Sequence, residues 1–309
     1  MHDNGSPRHV YTATAVVDFP RIAEFIEPIL TSIATHDMSV AAEDGFFRVA
    51  SAFGEARLEV RPGRLLLHAT TDNRDALNRL KYALVGPISF IAASEKLEFE
   101  WSGDRTGLTP LEDLRILNVR HVVSLAPRMR RIVFGGEDLG RFDRTDQLHC
   151  RLVFQPKGVK SPKWPAFDDQ GQIAWPGKRK LNTRVYTIRA IDLERSEITI
   201  DFALHDNPGP ATRWALDADV GDVVGIVGPA ADGPKAAEFY VLAGDDTGLP
   251  GIARILEHLG EKVRGIAFIE VDGPDDVQPL AKPSGIELRW LERKGAAPGT
   301  MSSSPKFGQ

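Results

Sequence analysis

The chain has 309 residues, about the length of two average domains. It carries 38 Lys and Arg against 43 Asp and Glu, a net charge of −5, and 42% of its residues are hydrophobic. This composition excludes a disordered, collagen-like or fibrous chain, and the acidic balance argues against nonspecific nucleic-acid binding, which needs clustered Lys and Arg.

Residues 1–107 read as a small α+β domain. The N-terminus has no apolar stretch of the secretory kind, so a cytoplasmic protein is expected. Asp18 is the candidate N-cap of a first helix, with Pro20 in its first turn. Ile22, Phe25, Ile26, Ile29, Leu30 and Ile33 follow at helical spacing, and Pro28 predicts a kink. Strands are expected over 46–53, 55–61 and 64–70, divided by Gly54 and by Pro62-Gly63. A second helix is expected over 73–84. The longest uncharged run, Tyr82–Ser94, has 13 residues, short of the roughly 20 that cross a bilayer, so no membrane insertion is expected. Lys96–Trp101 alternates like a half-buried strand, and 102–109 reads as a linker. His9, His36 and His68 have no metal-site spacing.

Residues 108–235 change to short strands with turns. Apolar-rich runs cover 118–125 and 131–134, and Gly135-Gly136 predicts a turn. Leu148, Cys150, Leu152 and Phe154 then alternate with His149, Arg151 and Val153. Cys150 is the single cysteine, which excludes an internal disulfide and a thiolate zinc cage. With further strands at 184–190, 197–205 and 222–227, the expectation is an antiparallel β-barrel. Residues 236–309 switch again: a buried strand at 239–243, a Gly/Asp/Thr loop, a helix at 249–259, and strands at 263–271 and 286–291. That order opens a parallel α/β lobe. The stretch after Gly295 has no apolar run, so a truncated lobe with a disordered tail is expected. The fold class is therefore multi-domain α+β: small N-terminal domain, β-barrel, partial nucleotide-binding lobe.

Three stretches could carry chemistry. In Arg184-Val185-Tyr186-Thr187, alternation puts Arg184 and Tyr186 on one strand face and Thr187 on the other. An arginine fork suits a pyrophosphate and a tyrosine suits a flavin ring, although an exposed strand accounts for the same four residues. In His205-Asp206-Asn207-Pro208-Gly209-Pro210-Ala211-Thr212-Arg213-Trp214-Ala215, a helix opening at Pro210 leaves N–H groups free beside Gly209, which fits either a phosphate or a plain strand-to-helix turn. In Ala243-Gly244-Asp245-Asp246-Thr247-Gly248-Leu249-Pro250, the Gly-rich turn suits a nucleotide, but adjacent Asp245 and Asp246 would repel a diphosphate.

In combination, these stretches closely resemble the siderophore-interacting protein family, FAD-dependent ferric-siderophore reductases of ferredoxin–NADP reductase type. The matching residues are Arg184 to Arg189, His205, Gly209-Pro210-Ala211, Trp214-Ala215, Gly228-Pro229, Ala243 to Thr247 with Leu249-Pro250, and Leu291-Glu292-Arg293. The resemblance spans about residues 115–299. Residues 9–103 resemble a small domain of unassigned function that accompanies such reductases.

The resemblance implies FAD held noncovalently by Arg184, Val185, Tyr186, Thr187, His205, Gly209, Pro210, Ala211, Thr212, Trp214 and Thr247. Thr187 and Thr247 would lie nearest the reacting groups, and Arg151 would meet an anionic ferric siderophore at a position where the family usually has lysine. The chain departs from the family at Ala230, where a basic residue commonly follows Gly-Pro, which puts a highly anionic catecholate substrate in doubt. No protein-bound metal is expected. The donor would be NAD(P)H or a protein. Because the lobe reads as truncated, FAD is expected to bind while NAD(P)H reduces it poorly. The alternatives are a flavin-binding protein with impaired turnover and a generic NAD(P)H–flavin reductase serving another acceptor.

Overall fold

A computed structural model describes residues 9–35 and 38–296. The chain divides into two units. One runs to Leu111 and takes in Lys163–Arg179; the other comprises Glu112–Pro162 and the chain from Lys180 onward.

The first unit opens with β1 (Tyr11–Asp18), α1 (Ile22–Ala34), β2 (Ser39–Glu43), β3 (Phe46–Ser51), β4 (Gly54–Arg61), β5 (Arg64–Thr71), α2 (Arg74–Ile91), β6 (Trp101–Gly103) and β7 (Thr109–Pro110). The first six strands form one antiparallel sheet, ordered β2-β3-β4-β5-β1-β6. Ala13, Ala15 and Val17 of β1 and Leu65, Leu67 and Ala69 of β5 supply one buried face. Ile29 and Ile33 of α1 and Leu77, Leu80, Leu84 and Ile88 of α2 complete that core.

Several local expectations change here. Asp18 does not cap α1: it stays in β1 opposite Arg64, and the helix starts after Arg21 with no side-chain cap. Asn73 does cap α2, accepting the Asp75 N–H at 2.9 Å. That helix runs on through Gly86-Pro87 to Ile91, because Val85 and Ile88 bury on its core face and outweigh one missing N–H. Residues 96–100 form no strand. Lys96 has a left-handed backbone (φ 50°) that redirects the chain, and pairing with β1 begins only at Trp101. Leu97 and Phe99 still pack on the core, so the alternation reported burial without a ladder. His36 lies outside the described residues.

The chain then passes through the second unit as β8 (Leu114–Ala126), β9 (Met129–Gly136) and β10 (Gln147–Phe154), and returns to the first for β11 (Ala166–Phe167) and β12 (Ile173–Ala174). These two join β7 in a small sheet. Asp169 accepts the N–H groups of Thr106 and Gly107 at 2.7 and 3.0 Å, and its carbonyl accepts from the buried Lys81 Nζ at 3.0 Å. Gly171 has φ +67°, and a Cβ there would stand 2.9 Å from the Lys81 backbone, so this loop position requires glycine.

The second unit continues with β13 (Asn182–Thr187), β14 (Ala190–Asp192), β15 (Glu197–Ala203), α3 (Pro210–Leu216), β16 (Val223–Asp232), β17 (Phe239–Gly244), α4 (Leu249–His258), β18 (Arg264–Val271) and β19 (Ile286–Glu292). Seven strands form an antiparallel sheet ordered β13-β10-β16-β8-β9-β15-β14. Leu117, Ile132, Phe134, Leu152, Ile198 and Phe202 lie at its core. The expected barrel does not close. Its edge strands β13 and β14 are consecutive in sequence, and no ladder joins them. The link is one corner, where Ile188 N–H donates to the Leu148 carbonyl and Arg189 N–H to the Thr199 carbonyl, both at 2.9 Å. Gly135 and Gly136 lie inside β9, paired with β8 and β15, so they make no turn.

The lobe is a parallel sheet ordered β17-β18-β19, with α4 on the first crossover. Leu249, Ile252 and Leu256 of α4 bury with Ala267, Ile269 and Val271 of β18. The strand expected to be buried, β17, is an edge strand whose Phe239 and Val241 are 56% and 64% exposed. The expected disordered tail, 297–309, lies outside the described residues. Among those described, no helix is long and apolar enough to cross a membrane.

Candidate functional site

Because the sheet stays open, a slot remains between its edges. β13 lies on one side and the part of β15 beyond its β14 ladder on the other, and a cleft of about 390 Å³ opens there. It collects Arg184, Val185, Tyr186 and Thr187 from β13, then His205, Gly209, Ala211, Thr212 and Thr247. These are nine of the candidates read from the sequence, from stretches up to sixty residues apart. Pro210, Trp214 and Arg151 do not line it.

An edge strand has one backbone side and both faces free, which is why four successive residues of β13 reach one cleft. Arg184 makes a single protein hydrogen bond, from Nη1 to the Thr183 carbonyl at 2.7 Å, and has no carboxylate partner among the described residues. Tyr186 lays its ring 4.5 Å from that of Phe202 and edge-on to Phe154. Burial, against a smaller pull from Arg184, pushes its hydroxyl up to about 12, so the phenol is neutral and serves as an aromatic surface. Thr187 is 7% exposed, and its hydroxyl has no protein partner among the described residues. Trp214 sits behind this surface, 5.3 Å from Phe154 and stacked on Phe134 at 6.3 Å, and supports it from the core.

At α3, Gly209 is the extended N-cap, Pro210 opens the helix, and no side chain caps it. Ala211 and Thr212 therefore have their N–H groups at the helix entrance beside the cleft. The opposite wall is the 244–248 turn. Gly244 and Gly248 approach so closely that a Cβ on either would lie within 3.2 Å of the other's Cα. The two carboxylates that seemed to forbid an anion here are both committed. Asp245 accepts from Thr247 N–H at 2.9 Å, Thr247 Oγ1 at 2.6 Å and Gly248 N–H at 3.2 Å. Burial opposes its ionisation, but these bonds together hold the carboxyl below its usual range. Asp246 is buried against Arg293 Nη2 at 2.5 Å. The Thr247 hydroxyl donates its hydrogen bond to Asp245, so toward the cleft it can only accept.

Sequence reading missed His149, Asp201, Ala203, Asp246 and Pro250 as lining residues. Asp201 is held by a two-pronged fork from Arg131 at 2.7 and 2.8 Å. His149 stands directly across the ladder from Thr187. Burial, and then the charge of Arg254, push its imidazole below the ordinary range, and its Nδ1 is buried without a partner among the described residues. Its alternation was visible in the sequence, but the register that sets it beside Thr187 was not. Arg151 lies on the exposed face of β10, opposite Val185, and donates to Thr183 Oγ1 at 3.3 Å. Among the described residues no group of His, Cys, Asp and Glu is placed to hold a metal ion.

A free guanidinium, an aromatic surface and unpaired N–H groups around one cleft fit a phosphate-bearing aromatic cofactor such as FAD. Comparison with known proteins agrees. Residues 118–233 match the siderophore-interacting FAD-binding domain and residues 237–304 the siderophore-interacting protein domain. An uncharacterized protein of Mycobacterium tuberculosis is 36% identical over 196 residues, which cover 61% of this chain and 67% of that one. The NADPH-dependent ferric-chelate reductase of Escherichia coli is 33% identical over 188 residues, covering 58% of this chain and 72% of its own. The ferric vibriobactin reductase ViuB of Vibrio cholerae is 29% identical over 181 residues, covering 58% and 66%. Among solved structures, a siderophore utilization protein from T. fusca superposes with a TM-score of 0.54 at 35% identity, covering 64% of this chain and 74% of that one. The matched stretches are about two thirds of these relatives' lengths. On the two adjoining domain matches and these relatives, the chain belongs to the siderophore-interacting protein family.

Proposed function

We propose that the protein is an FAD-dependent reductase that passes electrons from NAD(P)H to ferric iron in a siderophore. The observation that carries this is Arg184, a guanidinium without a carboxylate partner among the described residues, beside the Tyr186 ring on an edge strand that lines the cleft from both faces. Its position inside the matched FAD-binding domain supports the same reading, and the similarity to an NADPH-dependent ferric-chelate reductase and a ferric vibriobactin reductase supports the donor and the substrate class.

FAD, when bound, supplies acceptance of a hydride and release of single electrons. The chain's residues then bind and orient. Arg184 offsets pyrophosphate charge, Tyr186 presents a flat apolar surface, and the N–H groups of Ala211 and Thr212, with Gly209 admitting close approach, take phosphate oxygens. His205 and Val185 bound the same space. Thr187, with an uncommitted hydroxyl, is the side chain we assign to the reacting edge. Thr247 accepts from the opposite wall, where a nucleotide donor would enter at the carboxyl ends of the parallel strands. Reduction of the iron weakens hard-oxygen chelation and releases it. Arg151, opposite Val185 and without a carboxylate partner among the described residues, is assigned to an anionic siderophore.

The test is reconstitution with FAD, followed by reduction with NADPH or NADH and presentation of a ferric siderophore. A yellow protein whose flavin bleaches and is reoxidised by the ferric complex is expected. Protein that cannot be loaded with FAD defeats the reading. Loaded protein that bleaches only with a chemical reductant defeats the donor assignment and restores the poor NAD(P)H reduction expected of a truncated lobe. Arg151→Glu is expected to slow reduction of an anionic complex and reverse its salt dependence while FAD affinity holds; an unchanged rate removes Arg151 from the site.

A further inference from the structure

Helix α4 carries the 244–248 turn at its N-terminus, and two arginines outside the cleft tie it down. Arg254, on α4, is 3% exposed. Its Nη1 donates to the Ile188 carbonyl at 2.6 Å and its Nη2 to the Arg144 carbonyl at 2.5 Å. The next residue in the strand junction reaches back the other way: Arg189 Nη1 and Nη2 donate to the two carboxylate oxygens of Glu257 at 2.6 and 2.5 Å. That fork, against the cost of burial, holds the Glu257 carboxyl below its usual range.

Residues 251, 254 and 257 follow at three-residue steps and share one helix face. Gly251, on that face, is so near β13 that a Cβ would stand 3.7 Å from Thr187 Oγ1. The anchors on the junction, 188 and 189, directly follow the cleft-lining residues 184–187. A helix held at one point can pivot. Held at two successive turns by bonds running in opposite directions, it cannot slide or roll without breaking one of them.

We propose that Arg189, Glu257 and Arg254 are positioning residues that fix the spacing between the two walls of the cleft. They set the rate of transfer from a donor on the turn side and add little to FAD affinity. The rate claim rests on the reductase reading above; the positioning claim does not. Arg189 also stands 3.9 Å from Asp201, so charge reversal there would create a new repulsion, and neutral variants are the cleaner probe.

The experiment compares Glu257→Met, Glu257→Gln, Arg189→Met and the double Met variant. Three quantities are read: hydrogen exchange of the α4 amides in flavin-free protein, the FAD dissociation constant, and the flavin bleaching rate at saturating NADPH. For Glu257→Met, exchange in α4 is expected to quicken about tenfold and bleaching to slow about tenfold or more, with FAD affinity within about threefold. Glu257→Gln, which keeps one acceptor, falls between, and the double variant is no worse than the poorer single one, as a coupled pair requires. Unchanged exchange in α4 overturns the proposal, as does FAD affinity falling in step with the bleaching rate. If the native protein is not bleached by NADPH, the donor assignment fails, and the exchange measurement alone decides the positioning claim.

Discussion

On strand β13, Arg184 holds out a guanidinium bonded, among the described residues, only to the carbonyl of its neighbour, whereas across the cleft the 244–248 turn has two carboxylates that are both occupied within the protein. Formal charge alone would mark the first wall as cationic and the second as anionic and hostile to phosphate. The bonding changes that balance. Asp245 faces the N–H groups of its own turn and Asp246 faces Arg293, so the turn presents little free negative charge, while β13 keeps its positive charge available. A charge in a cleft acts on a ligand to the extent that the protein has not already satisfied it.

The comparison breaks most severely at Asp246. Asp246→Ala leaves Arg293, whose side chain is 2% exposed, without its short partner, and is expected to cost about 3–5 kcal/mol in urea unfolding. A loss below about 1 kcal/mol would mean that Asp272, 3.9 Å from Arg293 Nε, takes over the charge. Next in size is Arg184→Ala. It removes a charged hydrogen-bond donor from the ligand alone, so FAD affinity should weaken by about 1.5–3 kcal/mol with unfolding unchanged. A flavin fluorescence titration reads it, and equal affinities would return Arg184 to an ordinary exposed strand.

Asp245→Ala tests the turn without burying a charge. Loss of its bonds to Thr247 and Gly248 should cost about 1 kcal/mol of stability, in the range of a lost helix cap, and frees the Thr247 hydroxyl as a donor to the cleft. The smallest effect concerns pH. The His149 imidazole lies below its ordinary value because burial, and then Arg254, disfavour the charged form. The unfolded chain therefore takes up a proton first as pH falls through about 6.5, and stability is lost over that range. Urea unfolding at about pH 7.5 and about pH 5.5 should show a smaller decline for His149→Gln than for the native protein. Equal declines would mean that His149 titrates freely in the fold.

Much of the site was legible before folding. Arg184 to Thr187 announce themselves as residue types, and helix and strand periods placed most elements within a few residues. What was not legible depended on partners far along the chain. Asp246 and Arg293 are 47 residues apart, and nothing near Asp246 marks it as neutralised. The resemblance implies that Trp214 frames the site, but helical rotation turns it into the aromatic core behind Tyr186. Lys96–Trp101 had the right alternation for a strand, but only Trp101 found a ladder, since Leu97 and Phe99 bury against the core without a neighbouring edge.

The sequence by itself determined the local elements, the two changes of character along the chain, and the placing of Arg184-Val185-Tyr186-Thr187 on a strand. These depend on side-chain periodicity and turn chemistry, which act over a few residues. Only the tertiary structure decided that the sheet stays open at β13 and β14, that the opening becomes the cleft, and which of its charges are free. Those outcomes depend on strand register and on the pairing of buried ions between distant segments, where each partner's state is fixed by desolvation and not by its neighbours in sequence.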